Sequence, residues 1–242
     1  KHMKKIFYLL YIALAFVGCN DDDDKLPRIT PEATGTFTDT DGQVYKWVRY
    51  NGIDWMASNY KGGEPYYNAT NRWGDDLIDI DNKELAIADF EIYGNLYTYE
   101  QAQEHVPDGW RLPTDEDWQK LEQAMGMSDN TADKKGWRGS GVGELLQQDE
   151  TGSGMNLLLG GYVAVQAVRP MNLHLRLVRV YGYYWTSTED KDSYPEGTAV
   201  YYRSIRYNSS RIEREIMATY EQDYLNNVYP KYLSVRYVRD AQ

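Results

Sequence analysis

The chain has 242 residues, with 26 Lys and Arg against 37 Asp and Glu, a net charge of −11 and a single cysteine. An acidic chain without clustered Lys and Arg argues against nucleic acid as a partner, because a phosphate backbone is held through such clusters. One cysteine allows no internal disulfide, so the fold must rest on an ordinary hydrophobic core, which about 200 residues can build.

Taken from the start, Lys4 and Lys5 precede an apolar run over residues 6–17 that ends in Gly18-Cys19. A basic start, about a dozen apolar residues and a small residue before the cut form an export signal, and the run is shorter than the ~20 residues of a membrane-spanning helix. Residues 1–18 are expected to be removed, with Lys1-His2 ahead of Met3 a cloning remnant. Phe16-Val17-Gly18-Cys19 resembles the lipobox of bacterial lipoproteins, which makes Cys19 the expected lipid attachment site and the membrane a partner through that anchor. Loss of a leader with three lysines and no acid would take the net charge from −11 to −14. Asn20 and the acidic run over residues 21–24 must stay solvated. The run resembles the signal that sends Bacteroidetes lipoproteins to the outer face of the outer membrane; a protease-site tag or a plain spacer would look the same. Residues 19–35 are expected to be a lipidated acidic linker and residues 36–242 the domain.

Residues 37–48 alternate about Asp41-Gly42, a hairpin signal, and Asn51-Gly52 turns the chain into Ile53-Asp54-Trp55-Met56. Residues 61–91 show no sustained period and are expected to be a long loop, with a short helix around residues 84–88. Residues 99–105 predict a short helix closed by Pro107-Asp108-Gly109. The strongest helix follows: Thr114 is its N-cap, Asp115, Glu116 and Asp117 sit on the positive end of its dipole, Trp118, Leu121, Ala124 and Met125 recur at helical spacing, and Gly126 stops it. A glycine-rich stretch runs to Gly161, and residues 162–238 read as short strands, among them 200–207 and 233–238. The pattern predicts an α+β domain with early helices and a late antiparallel sheet.

These segments contain Asp41-Gly42-Gln43-Val44-Tyr45, Trp55-Met56-Ala57-Ser58-Asn59, Tyr93-Gly94-Asn95-Leu96-Tyr97-Thr98-Tyr99, Gly109-Trp110-Arg111-Leu112-Pro113-Thr114-Asp115, Tyr184-Trp185-Thr186-Ser187-Thr188-Glu189 and Ser234-Val235-Arg236-Tyr237-Val238-Arg239-Asp240. In this order they resemble the Fibrobacter succinogenes major paralogous domain family, whose members are commonly surface lipoproteins of Bacteroidetes. The Arg-Leu-Pro-Thr block also resembles the helix start of formylglycine-generating enzymes. The resemblance implies a C-type-lectin-like fold. Family members often carry a cysteine shortly before Gly-Trp-Arg-Leu-Pro-Thr and another in the closing block, where this chain has Val106 and Tyr237; the resemblance implies that these two side chains are neighbours.

An enzyme is not expected. The chemistry of formylglycine-generating enzymes needs cysteines, and none follows Cys19; His105 and His174 are too few for the histidine clusters of related iron enzymes, and no Gly-x-Ser-x-Gly elbow is present. Asp75, Asp76, Asp79, Asp81 and Glu84 supply oxygen ligands but lack the glycine and terminal glutamate of a calcium loop. No metal or cofactor is expected. The 23 Tyr and 7 Trp against 4 Phe suit wet surfaces and interfaces, or half-buried spacers in a loop-rich fold. Tyr183, Tyr184, Trp185, Tyr201, Tyr202, Arg203, Arg206 and Tyr207 concentrate aromatic and guanidinium groups and are the candidate ligand-binding residues. Alternation puts Tyr201, Arg203, Ile205 and Tyr207 on one strand face and Val200, Tyr202, Ser204 and Arg206 on the other, and does not say which face is core. The expected function is binding or adhesion to an extracellular glycan or protein, the alternative a structural accessory subunit of an outer-membrane complex. Aromatics lining a concavity would favour a small ligand, and an open patch a protein.

Overall fold

Two turns start the fold. The Asp39 carboxylate accepts the backbone N–H groups of Asp41 and Gln43, holding the bend between β1 (Thr34–Thr38) and β2 (Val44–Tyr50), which pair antiparallel with Thr34 opposite Val48. Asn51 and Gly52, both at positive φ (48° and 71°), then form the two-residue turn that Asn-Gly favours and place β3 (Ile53–Met56) beside β2. The computed structural model describes residues 26–70, 76, 80–165, 173–192, 198–223 and 225–241; the expected leader over residues 1–18, Cys19 and the acidic run lie outside the described residues.

Residues 26–35, placed in the expected linker, make contacts with the domain. Leu26 and Ile29 pack against the main core, the Glu32 N–H donates to the Arg49 carbonyl at 2.9 Å, and the Glu32 carboxylate accepts from the Asn51 N–H at 2.6 Å. Two apolar side chains and one acid bonded to a turn suffice to fasten a segment whose composition reads as a tether.

α1 (Ile80–Tyr93) is longer than the short helix expected around residues 84–88. Its buried Ala86 and half-buried Phe90 alternate with exposed Leu85, Ile87 and Ile92, so apolar residues surround the axis and no one-sided period marks its length. α2 (Tyr99–Glu104) and α3 (Asp115–Ala124) both start with capping boxes, Thr98 with Gln101 and Thr114 with Asp117. The glycine-rich stretch after Gly126 carries α4 (Asp129–Ala132), β4 (Gly136–Arg138) and α5 (Val142–Gln147). Gly143 is required there, since a Cβ would fall 2.3 Å from the Arg211 carbonyl oxygen.

β5 (Tyr162–Val165) and β6 (Leu173–Arg176) form a hairpin, followed by β7 (Tyr181–Glu189), β8 (Ala199–Arg206), β9 (Ile212–Ala218), β10 (Tyr220–Gln222), β11 (Val228–Pro230) and β12 (Val238–Asp240). Two four-stranded sheets organise the fold, β1-β2-β3-β12 and β4-β9-β8-β7, and every strand ladder is antiparallel. The class is α+β.

Residues 233–238, expected as one strand, instead cross between the sheets. Leu233 exchanges bonds with Tyr97, Ser234 with Tyr183 and Trp185, Val235 accepts from Tyr60 and Tyr237 from Met56, and all six residues are fully buried. Among the described residues the buried Arg236 guanidinium pairs with no carboxylate; it donates to Asn59 Oδ1 (2.7 Å) and to the carbonyls of Met56 (3.0 Å), Met155 (2.8 Å) and Asn156. Burial pulls its pKa down to about 10. The Tyr237 hydroxyl donates to the Ala102 carbonyl of α2 at 2.8 Å, and Val106, just beyond α2, packs on the same apolar cluster. The main core lies between α3 and the sheets: Trp118 is wholly buried, 4.9 Å from Trp55 and 5.7 Å from Tyr184 between ring centres.

Candidate functional site

The sheet β4-β9-β8-β7 has one face toward α3 and one facing out, and the ladder decides which residues share a face. Tyr183 lies opposite Ser204, Ser204 opposite Glu213, and Glu213 opposite Trp137, so these four form one row across the sheet.

The inner face carries charge. Arg203 donates from Nε to Glu122 and from a terminal nitrogen to Asp115, each at 2.7 Å; Arg138 donates to Glu122 at 2.6 Å; Arg214 clasps Asp115 at 2.7 and 2.9 Å. All five side chains are buried. Burial alone would raise the Asp115 pKa, but the bonds and charges of Arg214 and Arg203 outweigh it and hold the carboxyl below the usual carboxylate range. Removing one partner from such a group strands a buried charge, so the network fixes α3 to the sheet. The Arg-Leu-Pro-Thr block serves the same joint: Asp117 caps α3 through Thr114 and pairs with Arg111, which also reaches Asp240 at 2.9 Å.

The outer face is aromatic. Tyr181 and Tyr183 stack 5.5 Å apart on β7, Tyr162 meets Tyr183 edge-on at 5.1 Å, Tyr202 lies 6.0 Å from Tyr183, and Trp137 is 6.2 Å from Tyr181 at 61°. Glu213 accepts from Ser204 Oγ (2.7 Å) and from the Tyr202 hydroxyl (3.3 Å). Burial, followed by neighbouring tyrosines and Glu213, pushes the Tyr183 hydroxyl well above its ordinary value; for Tyr202 burial and Glu213 act alike, so both stay protonated donors. Arg206 lies over the Trp137 ring at 4.6 Å. Its Nε is buried with no acceptor, and among the described residues it enters no ion pair.

Of the residues expected to bind ligand, Tyr183, Tyr202 and Arg206 share this outer face. Tyr207, just past the end of β8, is 66% exposed. Tyr184, Trp185 and Arg203 are not surface groups and leave the candidate site. Each has 0% exposure: the Tyr184 hydroxyl bonds the Leu158 backbone, the Trp185 indole donates to the Tyr97 carbonyl at 2.7 Å, and Arg203 belongs to the inner network. Trp185 has the outer alternation of β7, but Tyr99 covers that end of the sheet at 5.7 Å. Tyr201 faces inward beneath Arg214, 4.4 Å from its ring. The expected list omits Trp137, Tyr162, Tyr181 and Glu213. Tyr181-x-Tyr183 was a legible alternation; Trp137, in a three-residue strand between glycines, carried no local signal.

His105 lies beside Tyr97 with ring centres 6.1 Å apart, and His174 stands opposite Ala164 in the β5–β6 hairpin. Asp75, Asp79 and the Asp81 side chain fall outside the described residues, and Asp76 pairs with Lys83 at 2.8 Å. Among the described residues no group of three or more His, Cys, Asp and Glu is arranged to hold a metal, and no helix is long and apolar enough to cross a membrane. A cleft of about 400 Å³ lies elsewhere, between residues 31–36, β2 and residues 150–154.

The family described as Fibrobacter succinogenes major domain matches residues 48–239. The chain belongs to that family. The match runs from β2 to β12 and takes in both faces of the β4-β9-β8-β7 sheet. No curated protein and no solved structure matches the chain.

Proposed function

We propose that this Fibrobacter succinogenes major domain protein is an outer-membrane surface lipoprotein, anchored through Cys19, whose C-type-lectin-like domain binds a protein ligand without catalysis on the outer face of β4-β9-β8-β7. The fold is supported by the order of the family blocks and by β12 closing the sheet beside β3, which brings the two ends of the domain together. The observation that carries the binding reading is the outer-face group of Tyr162, Tyr181, Tyr183, Tyr202, Trp137 and Arg206. Tyr, Trp and Arg are the side chains that most often anchor protein interfaces. A glycan is the weaker ligand, because sugars stack on free ring faces and these rings turn faces and edges to one another, with Arg206 over Trp137.

A second reading, an accessory subunit of an outer-membrane complex, draws on a different surface: Leu85, Ile87 and Ile92 of α1 are exposed, as are Leu225 and Val228 by the β10–β11 hairpin. Pull-down from the native membrane with the full chain, beside a glycan array, tests both. Capture lost with Tyr183→Ser supports the outer face; capture lost only with Leu85→Asp and Ile92→Asp supports the subunit reading; glycan binding without protein capture overturns both. Growth with labelled palmitate tests the anchor. Wild type should take up label and Cys19→Ala should not, and equal labelling sinks the lipoprotein reading.

A further inference from the structure

We infer that the outer-face ligand is an acidic protein segment that presents a carboxylate to Arg206. This rests on the outer face being the binding surface and adds the chemistry of the partner.

The arginines of the chain set the standard by which Arg206 differs. Arg138, Arg203 and Arg214 are neutralised by Glu122 and Asp115, Arg49 and Arg239 by Asp54, and Arg111 by Asp117 and Asp240. Even Arg236, without a carboxylate, fills its donors with carbonyl oxygens. Among the described residues Arg206 has the face of Trp137 and no ion pair, and its Nε is buried without an acceptor. A buried donor left unpaired is costly, and a carboxylate is the acceptor that matches a guanidinium fork best.

The surroundings reinforce the same sign of charge. Residues 206–211, which join β8 to β9, read Arg-Tyr-Asn-Ser-Ser-Arg and contain no acid in a chain of net charge −11. Arg211 is exposed, and among the described residues it too enters no ion pair. Glu213, the acid of the same row, is already held by Ser204 and Tyr202 and forms no ion pair with Arg206. The turn after Arg206 thus carries exposed Tyr207 and Arg211 and no acid, while Glu213 is already engaged by Ser204 and Tyr202. Aromatic rings around a half-buried guanidinium exclude part of the water and strengthen the pair formed there.

The test uses the full chain, immobilised, and a displayed library of random dodecapeptides. Selected peptides should be enriched in Asp and Glu. Arg206→Gln should weaken their binding about tenfold to a hundredfold, the range of a lost charge-assisted hydrogen bond, Arg206→Lys should recover part of it, and Tyr183→Ser should weaken it as well. Unfolding midpoints of the variants, measured in parallel, separate loss of binding from loss of fold. Peptides without acid enrichment that still need Tyr183 overturn the carboxylate inference and leave the binding face standing. Peptides indifferent to both Tyr183 and Arg206, or no selected peptides at all, overturn the face itself. Oligouronates bound through Arg206 in the absence of peptide binding overturn the choice of protein.

Discussion

Arg203 and Arg206 stand three residues apart on β8 and point to opposite sides of one sheet. Arg203 is wholly enclosed and answered by two carboxylates of α3, whereas Arg206 is half-buried on an indole and, among the described residues, answered by none. Enclosure without partners would be prohibitive, so the inner arginine is architectural; incomplete pairing at the surface is tolerable and leaves a group free for a partner. The contrast teaches that arginine identity says little here, and that the company of each guanidinium separates a joint from a docking point.

The largest expected effect strikes the inner side. Glu122→Ala leaves Arg138 and Arg203 without their shared carboxylate and should cost about 3–5 kcal/mol in denaturant unfolding. Trp118→Ala, which empties the contact with Trp55 and Tyr184, should cost a similar ~3–5 kcal/mol. A loss under about 1 kcal/mol for Glu122→Ala would mean that the network does not hold α3 to the sheet.

Acid should weaken that network through Asp115, and with it the Asp54 and Asp117 ion pairs elsewhere in the fold. Asp54, Asp115 and Asp117 all titrate below the ordinary 3.8 in the folded protein. Their contribution is complete above that unfolded value and is lost as pH falls through the lower folded values. Denaturation midpoints should thus drop below about pH 4, and Asp115→Asn should flatten this acid limb while lowering stability at neutral pH. An unchanged limb would show that the network does not set it.

A smaller effect is expected at the start of α3. Thr114→Ala removes the capping hydroxyl and should cost about 0.5–2 kcal/mol, without altering partner binding. The smallest belongs to the outer side: Arg206→Gln should leave stability within about 0.5 kcal/mol of wild type. A large loss there would erase the distinction between the two arginines.

Local rules made much of the fold legible. Asn51-Gly52 specified its turn, Thr114 and Gly126 the ends of α3, and Trp118 its buried face, since each signal lies within a few residues. The outer-face group was half legible: Tyr183, Tyr202 and Arg206 stood out, but so did Tyr184, Trp185 and Arg203. Polarity alone would turn Arg203 outward, and the partners that draw it inward, Glu122 and Asp115, are 81 and 88 residues away in sequence. Residues 26–33 and β4 escaped notice for the same reason, because their order comes from distant contacts rather than from pattern.

The crossing segment at residues 233–238 has a consequence in time. Arg236 bonds Asn59 and Met56, 177 and 180 positions earlier, and β12 supplies the last strand beside β3. A chain still being synthesised possesses both halves of the domain but not the bolt between them. Loop closure over so many residues must precede its reward, which delays the committed step of folding. Completion of the domain therefore waits on synthesis of residues 233–240, and a chain cut before Leu233 should stay open to proteases that a chain containing them resists.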